Sequence, residues 1–547
     1  MKKLFTLFFL IIISSVSYGQ KLDVKASLNN TFRYGNGLET NNTSEYPKEY
    51  LEDLGDARLK INDFVFGMRY EISDPIEYGN DFKGIRKRYL EYNNLDENLS
   101  IRVGDYWDLV SRGLTFNVFE DRGLAYDTGI DGVRVAYKRN FGEKNPVKTK
   151  TQVFAGDLNY TDYINLKRTE TYKIRDANFE VVPLKNINIG INYMYAKGSI
   201  TSNDLSTLTN ITAELPEAYM TFNYKDLQFF YSYAHKHVLT DPNSLYLNRM
   251  SAFGNGMYSS LSFSKPGFGF TIDYKNYRFD LTDPSQRDRT RPTKMLPFQN
   301  PPTALKEHTS TLISRNPHVV DFNDEVGGQL DMIASPSDKL NLNLNIGIAS
   351  RHYEYNYINA GWVPVERSTN FLPSLDDKFS PFWEVYFESE YYASKAVYGK
   401  VAFSKQSEVT YSDLDPLESE KLFTSTIPVE FRYSLTKDWT LKLIAEQQWI
   451  HNSSRFYQKD YNNNFFSLSM SRSPDLTLTI NTEITNDDYD PSGKKNWVQG
   501  EIAYKLTTTH ILTASYGAER GGLKCTSGIC RYVYPFNGFR LSLSSKF

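Results

Sequence analysis

Along much of the chain, apolar and polar residues alternate one by one. Leu340, Leu342, Leu344, Ile346 and Ile348 are separated by Asn341, Asn343, Asn345, Gly347 and Ala349. Leu476, Leu478 and Ile480 alternate with Thr477, Thr479 and Asn481, and Phe539, Leu541 and Leu543 with Arg540, Ser542 and Ser544. Successive side chains of a strand point to opposite faces, so a period of two predicts strands with one apolar and one polar face. A secreted sandwich gives the same alternation, so the connections must separate the two architectures.

Those connections differ sharply in length. Strand pairs are joined by Lys265-Pro266-Gly267, Ser335-Pro336-Ser337-Asp338, Thr436-Lys437-Asp438 and Ser473-Pro474-Asp475. Between the pairs lie the polar segments 279–324, 352–381, 406–424, 450–463, 485–494 and 518–538. Short and long alternate strictly, as periplasmic turns and external loops do in an outer-membrane barrel. A sandwich has no reason to sort its loops by parity. The expected fold is all-β, a single transmembrane antiparallel barrel of about 24 strands (22–26). Counting back from Phe547, strands are expected to begin near residues 22, 56, 64, 83, 98, 132, 148, 172, 187, 215, 226, 256, 267, 325, 339, 382, 394, 425, 439, 464, 475, 495, 508 and 539. Both chain ends belong on the periplasmic side, which demands an even count. That parity favours a tight Asn62-Asp63 turn over one strand spanning 56–72.

The N-terminus has the form of a secretory signal peptide over residues 1–19, with the barrel over 20–547. Lys2 and Lys3 precede the apolar run Leu4 to Ile13, and Ser17-Tyr18-Gly19 offers small residues for cleavage. The run is too short to span a bilayer stably, which argues against a retained anchor. After it, no apolar stretch reaches the ~18 to 20 residues of a spanning helix. The mean hydropathy of −0.51 would pass for a soluble protein, but only alternate residues of a barrel strand face lipid. Aromatics make up 15% of the chain, with Tyr 40 and Phe 35, a supply suited to girdles at two membrane interfaces. A net charge of −3 leaves no footprint for nucleic acid.

Three segments resemble an uncharacterised family of large outer-membrane β-barrels from Bacteroidota. They are Phe66-Gly67-Met68-Arg69-Tyr70-Glu71 with Gly84-Ile85-Arg86-Lys87-Arg88-Tyr89; Val103-Gly104-Asp105-Tyr106-Trp107 with Arg112-Gly113-Leu114; and Glu120-Asp121-Arg122-Gly123-Leu124 with Asp127 and Asp131-Gly132-Val133-Arg134-Val135. The similarity is clearest over residues 56–140. The terminal Phe547 resembles the assembly signal read by the barrel-assembly machinery. The resemblance implies a bacterial outer-membrane location and a barrel fold, and carries no activity or catalytic residues with it.

Within 105–131 charge and glycine are dense. Asp105, Arg112, Glu120, Asp121, Arg122, Asp127 and Asp131 are candidates for an inward-folded segment that constricts or plugs the lumen. A solvated external loop is the alternative; Leu114, Phe116, Val118 and Phe119 favour the inward fold, being awkward in water. Segment 279–324 is the longest connection. Pro284, Pro292, Pro297, Pro301 and Pro302 deny it regular structure, and Arg278, Arg287, Arg289, Arg291 and Lys294 make it basic. It would cap the mouth, dock a partner or touch lipopolysaccharide, or else be a mobile external loop. Polar-face positions nominate Arg69, Arg102, Arg134, Glu430, Arg432, Lys442, Glu446, Glu483, Glu501, Lys505 and Arg540 as lumen-lining residues, which would set selectivity in a pore or pair as ladders in a closed barrel. A barrel of this size would leak if open, so a plug by internal loops or a partner is expected.

Cys525 and Cys530 are two cysteines of an exported chain, expected to form a disulfide that shapes the tip of the last external loop. They are too few for a disulfide scaffold. His235 and His237 share a strand face but lack a third ligand, so no metal site is expected. None of the 7 histidines stands in a Ser-His-Asp or HExxH context, and no phosphate-binding glycine motif or cofactor site is present. No enzyme is expected. The expected function is a channel, transport or partly plugged pore protein; the alternative is a non-transporting structural subunit of a larger outer-membrane assembly or secretion complex. Residues 20–50 are too few for a separate energised plug domain. Expected partners are outer-membrane lipid and lipopolysaccharide, the barrel-assembly machinery, and other envelope proteins.

Overall fold

In the computed structural model of the chain, a single antiparallel sheet of 24 strands closes on itself. The structure describes residues 22–41, 43–94, 98–142, 147–162, 166–201, 205–242, 249–280, 296–358, 361–411 and 419–547. The expected leader 1–19 lies outside them, as do Pro284, Arg287, Arg289, Arg291, Pro292 and Lys294. Each barrel strand pairs with its successor, and the first, Val24–Asn41, pairs with the last, Phe536–Lys546. Phe32 stands opposite Leu543 at that seam. Phe547 completes the closure: its N–H donates to the Leu28 carbonyl at 2.8 Å and its carbonyl accepts from the Leu28 N–H at 3.2 Å.

Strand number and order follow the expected pattern, including the Asn62-Asp63 turn. Ile61 pairs with Phe64 there, and Asn62 takes the left-handed conformation at φ 50°, which asparagine tolerates because its short amide bonds locally. The larger differences lie at one end. Strands that descend from long connections start earlier than expected: Ser44 instead of Asp56, Leu208 instead of Leu215, Met250 instead of Gly256, and Ser419 instead of Ser425. Strands that rise from short turns start at or close to the expected positions, the largest shift being Val397 instead of Ser394. The extra residues mix apolar and polar side chains, with Tyr50, Leu54 and Ile211 buried on the lumen side, so the apolar-outward alternation lapses there while the backbone ladder continues past the lipid-facing zone.

The distribution of side chains is inverted relative to a water-soluble barrel. Along Ile187–Thr201, Ile189, Ile191 and Tyr193 lie exposed on the outside, while Asn192 and Met194 are buried inside. Along Asn496–Thr507, Val498, Ile502, Tyr504 and Leu506 face out, while Gln499, Glu501 and Lys505 face in. Tyr224, Phe268, Tyr391, Tyr392, Tyr433 and Tyr504 stand exposed beside the short turns, forming one aromatic girdle. An apolar exterior over a polar interior is the arrangement a barrel needs in lipid. No helix among the described residues is long and apolar enough to cross a membrane.

Candidate functional site

Two connections turn into the lumen and fill it. The first joins Leu99–Tyr106 to Ile130–Phe141. Gly113 at φ 90° turns the chain inward, a conformation without penalty only for glycine. The Asp121 carboxylate caps the short 3-10 turn Arg122–Leu124 by accepting the Leu124 N–H at 3.1 Å. Between these points Leu114, Phe116 and Val118 are buried completely or nearly so. Phe116 packs on Phe154 with ring centroids 4.6 Å apart, within a cluster that includes Ile174, Met194, Leu215 and Val238 of the wall. Burying each such side chain contributes about 1.5–3 kcal/mol.

The second connection is the longest one, and its described part, residues 296–324, corrects the external-loop expectation. It lies inside the barrel against the first segment. Asn117 and Asn300 exchange side-chain-to-carbonyl hydrogen bonds at 2.9 and 2.8 Å. Tyr126 Oη donates to the Pro297 carbonyl at 2.7 Å, and Gln299 Nε2 to the Leu114 carbonyl at 2.9 Å. Its prolines leave carbonyls without helical or sheet partners, and neighbouring side chains supply the donors.

The wall treats this plug differently on its two sides. Strands from Val147–Thr161 to Phe268–Arg278 meet it chiefly through apolar contact. The strands beyond meet it with carboxylates. Glu446 accepts from Thr311 N at 3.0 Å, Leu312 N at 2.7 Å and Ser310 Oγ at 2.7 Å. Arg315 Nε donates to Glu483 Oε1 at 2.9 Å, and Arg520 Nη1 reaches the same oxygen at 2.9 Å. Lys306 pairs with Asp331 at 3.2 Å and His308 with Glu384 at 2.9 Å. His318 lies between Glu408 at 2.8 Å and Glu325 at 3.3 Å, with its ring stacked on Phe382. Burial alone would lower the His318 pKa; the two carboxylates outweigh it and raise it from 6.5 to about 9. In the first segment, burial would raise the Asp127 carboxyl, but the Lys87 ammonium at 2.7 Å and hydrogen bonds from Trp107 and Gly129 hold it below its ordinary range.

The last long connection closes over this side. Its hairpin pairs Gly522–Thr526 with Ile529–Val533 and is bridged by the Cys525–Cys530 disulfide. Its tip turns down onto the plug: Ser527 N donates to Glu307 at 2.7 Å, and Gly528, at φ 79°, sits so close to the Phe322 ring that a Cβ would collide. Between hairpin, plug and wall remains a cavity of 440 Å³, lined in part by His308, Arg315, His318, Glu384, Arg520 and Lys524.

The expected plug residues divide. Glu120 pairs with Arg69 at 2.7 Å, Arg122 with Glu71 at 3.2 Å, Asp127 with Lys87, and Arg112 lies over the Phe230 ring at 5.1 Å. Asp105 and Asp131 are wall residues instead, opposite one another on neighbouring strands. Asp131 points outward and pairs with the exposed Arg88 at 3.1 Å; the alternation that turns Arg134 inward turns Asp131 the other way. The polar-face candidates all take inward positions. Arg102 pairs with Glu91 at 3.1 Å and Arg134 with Asp108 at 3.0 Å. Glu430 binds Arg432 and lies 3.7 Å from Lys442. Arg540 binds Glu519, and Glu501 and Lys505 follow each other along one strand face. His235 and His237 stack on Phe253, with His237 Nε2 2.9 Å from Ser251. Sequence reading missed Glu384, Glu408, Asp331, His308, Arg315 and His318. Inward parity could have flagged the three wall carboxylates; nothing local marks the three plug side chains.

Comparison with solved structures returns transporters and receptors at low identity. A copper transporter, OprC, is 12% identical, with 96% of this chain and 80% of that chain covered at a TM-score of 0.44. The siderophore receptor PirA from Pseudomonas aeruginosa is 8% identical, with 96% and 81% covered at 0.44. The FrpB iron transporter from Neisseria meningitidis is 9% identical, with 98% and 84% covered at 0.40. No curated protein matches the chain. A family model matches residues 1–547, and the chain belongs to that family, described as a family of unknown function (DUF6029).

Proposed function

We propose that the protein is a gated pore of the bacterial outer membrane, held closed by its own inward-folded segments. The observation that carries this reading is the asymmetry of the plug's attachments. On one wall apolar packing dominates, with a few buried hydrogen bonds such as Thr115 to Glu217 and Tyr277 to the Pro302 carbonyl set within it. On the other wall, discrete ion pairs and hydrogen bonds to Asp331, Glu384, Glu408, Glu446 and Glu483 join plug and wall. Such contacts can exchange for water at modest net cost, so the plug has a side that can part and a side that stays. Parting there would leave a carboxylate-lined path beside the cavity, with Glu430, Glu501 and Lys505 further along the lumen.

The same proposal includes the leader 1–19, delivery by the barrel-assembly machinery through Phe547, contact with lipid and lipopolysaccharide, and an origin in Bacteroidota. It assigns no catalysis. Purified protein in planar bilayers tests it: wild type should conduct rarely, and Arg315→Ala with Glu446→Ala should conduct often. Silence from both would overturn the pore reading. A second reading, a structural subunit of an envelope assembly, is favoured by Phe456 and Tyr457, 83% and 71% exposed at the long-loop end. Native extraction with a stoichiometric partner would select it.

A further inference from the structure

One long connection takes a third course. Residues 351–381 link Leu340–Ser350 to Phe382–Tyr392. On strand Phe268–Arg278, Asp273, Lys275 and Tyr277 are buried on the lumen side: Lys275 pairs with Glu325, and Tyr277 Oη donates to the Pro302 carbonyl of the plug. Alternation therefore turns Tyr274, Asn276 and Arg278 outward, and these are the residues the connection binds. Tyr274 Oη donates to the Phe371 carbonyl at 2.7 Å, Asn276 Nδ2 to the Asn370 carbonyl at 3.1 Å, and Arg278 Nη1 to Glu366 at 3.0 Å. On the neighbouring strands, Val326 and Ser350 also alternate outward, yet they are 0% and 1% exposed. Ser350 Oγ accepts the Ser374 N–H at 2.9 Å. The connection is draped down the outer wall.

The level it reaches matters. A strand crosses the hydrocarbon layer in about 9–11 residues. Counting up from Phe268 and Leu340, beside the short turns, brings the outer boundary to Asn276–Arg278 and to Ile348–Ser350. Below it the outward residues are apolar: Ile272 and Ile346 stand exposed in the lipid-facing band. At the boundary stand the polar Asn276, Arg278 and Ser350 beside Val326, and the draped segment covers them. In their place it presents Phe371, Leu372 and Leu375, 68%, 63% and 62% exposed. Its backbone polar groups turn to the wall through Asn370 and Phe371. Apolar side chains that continue a lipid-facing band, over polar groups satisfied on the inner side, have the form of an interfacial anchor.

We propose that Phe371, Leu372 and Leu375 insert among the acyl chains of the outer leaflet, so that this connection is a membrane-anchored brace on the outside of the barrel. The proposal is independent of whether the lumen conducts. Both native cysteines are bonded to each other and none is free, so a single added cysteine can carry a nitroxide. Leu372→Cys is labelled in the full-length protein, reconstituted in phosphatidylcholine vesicles, and probed with oxygen and a water-soluble nickel chelate. Ile346→Cys, in the lipid-facing band, and Asp488→Cys, in an exposed long connection, are the references. The expected result is an oxygen-to-nickel collision ratio at 372 matching that at 346 and well above that at 488. A nickel-dominated signal would place the segment in water and overturn the proposal. Shielding from both reagents would mean a protein partner covers it and would overturn it equally.

Discussion

Arg315 and Glu483, separated by 168 residues, meet inside the barrel with Nε 2.9 Å from Oε1. Arg315 also donates to the Arg520 and Gly521 carbonyls, so one guanidinium ties plug, wall and closing hairpin together. Removing one partner of a buried pair costs about 3–5 kcal/mol; Arg520 remains to satisfy Glu483, which places Arg315→Ala at the low end of that range. The expected outcome is frequent opening in single-channel recordings, with heat-modifiable migration of the barrel unchanged. A trace as quiet as wild type would show that this contact does not hold the plug.

Glu446 is the acceptor for the start of the Ile313–Arg315 turn. Glu446→Ala leaves the Thr311 and Leu312 N–H groups without their acceptor, at about 1–3 kcal/mol for each buried orphan. Hydrogen exchange measured by mass spectrometry should accelerate across 308–318 and stay slow in the wall strands. Unchanged protection over 308–318 would mean that water or a neighbour replaces the carboxylate.

His318 gives the plug a dependence on pH. The groups facing it are Glu408 and Glu325, with Lys275 beyond Glu325 and the Phe382 ring on its flank. Its pKa is raised in the folded protein from 6.5 to about 9. A raised cationic group contributes fully below 6.5, and its contribution is lost as pH climbs through the folded value. Conductance should therefore increase between pH 6.5 and 9, and His318→Gln should abolish the pH step. A step of equal size in the variant would assign it to other groups.

The disulfide closes a short ring, worth about 2 kcal/mol of chain entropy in the unfolded hairpin. In Cys525→Ser with Cys530→Ser, trypsin should cut at Lys524 and Arg531 while the 24-stranded sheet survives. Resistance equal to wild type would show that seating on Glu307 and Phe322 holds the hairpin without the bridge.

The strand plan was legible because its cause is local. Alternation such as Leu340 to Ile348 is imposed by the pleat, and a turn such as Asn62-Asp63 by backbone conformation. Parity then carried the register around to Val24–Asn41 without any contact information. The early strand starts have one source: in extensions such as Ser44 to Gly55 the apolar Tyr50 and Leu54 turn inward while Glu45, Glu49 and Asp53 alternate with them, so the apolar-outward pattern of the lipid-facing zone is not there to read. Glu446 and Glu483 were legible as inward residues for the same local reason.

Their partners were not. Nothing near Ser310 or Arg315 points to strands 136 and 168 residues away, and nothing near Phe371 points to Tyr274. The sequence by itself determined a closed barrel, apolar outside and polar inside, with long connections at one end. Only the tertiary structure decided that the longest connection joins segment 105–131 inside the barrel, that a third lies on the outer wall, and which carboxylates receive them. A loop has no period; its place is set by the sum of distant side-chain contacts, which exist only once the barrel has brought its strands together.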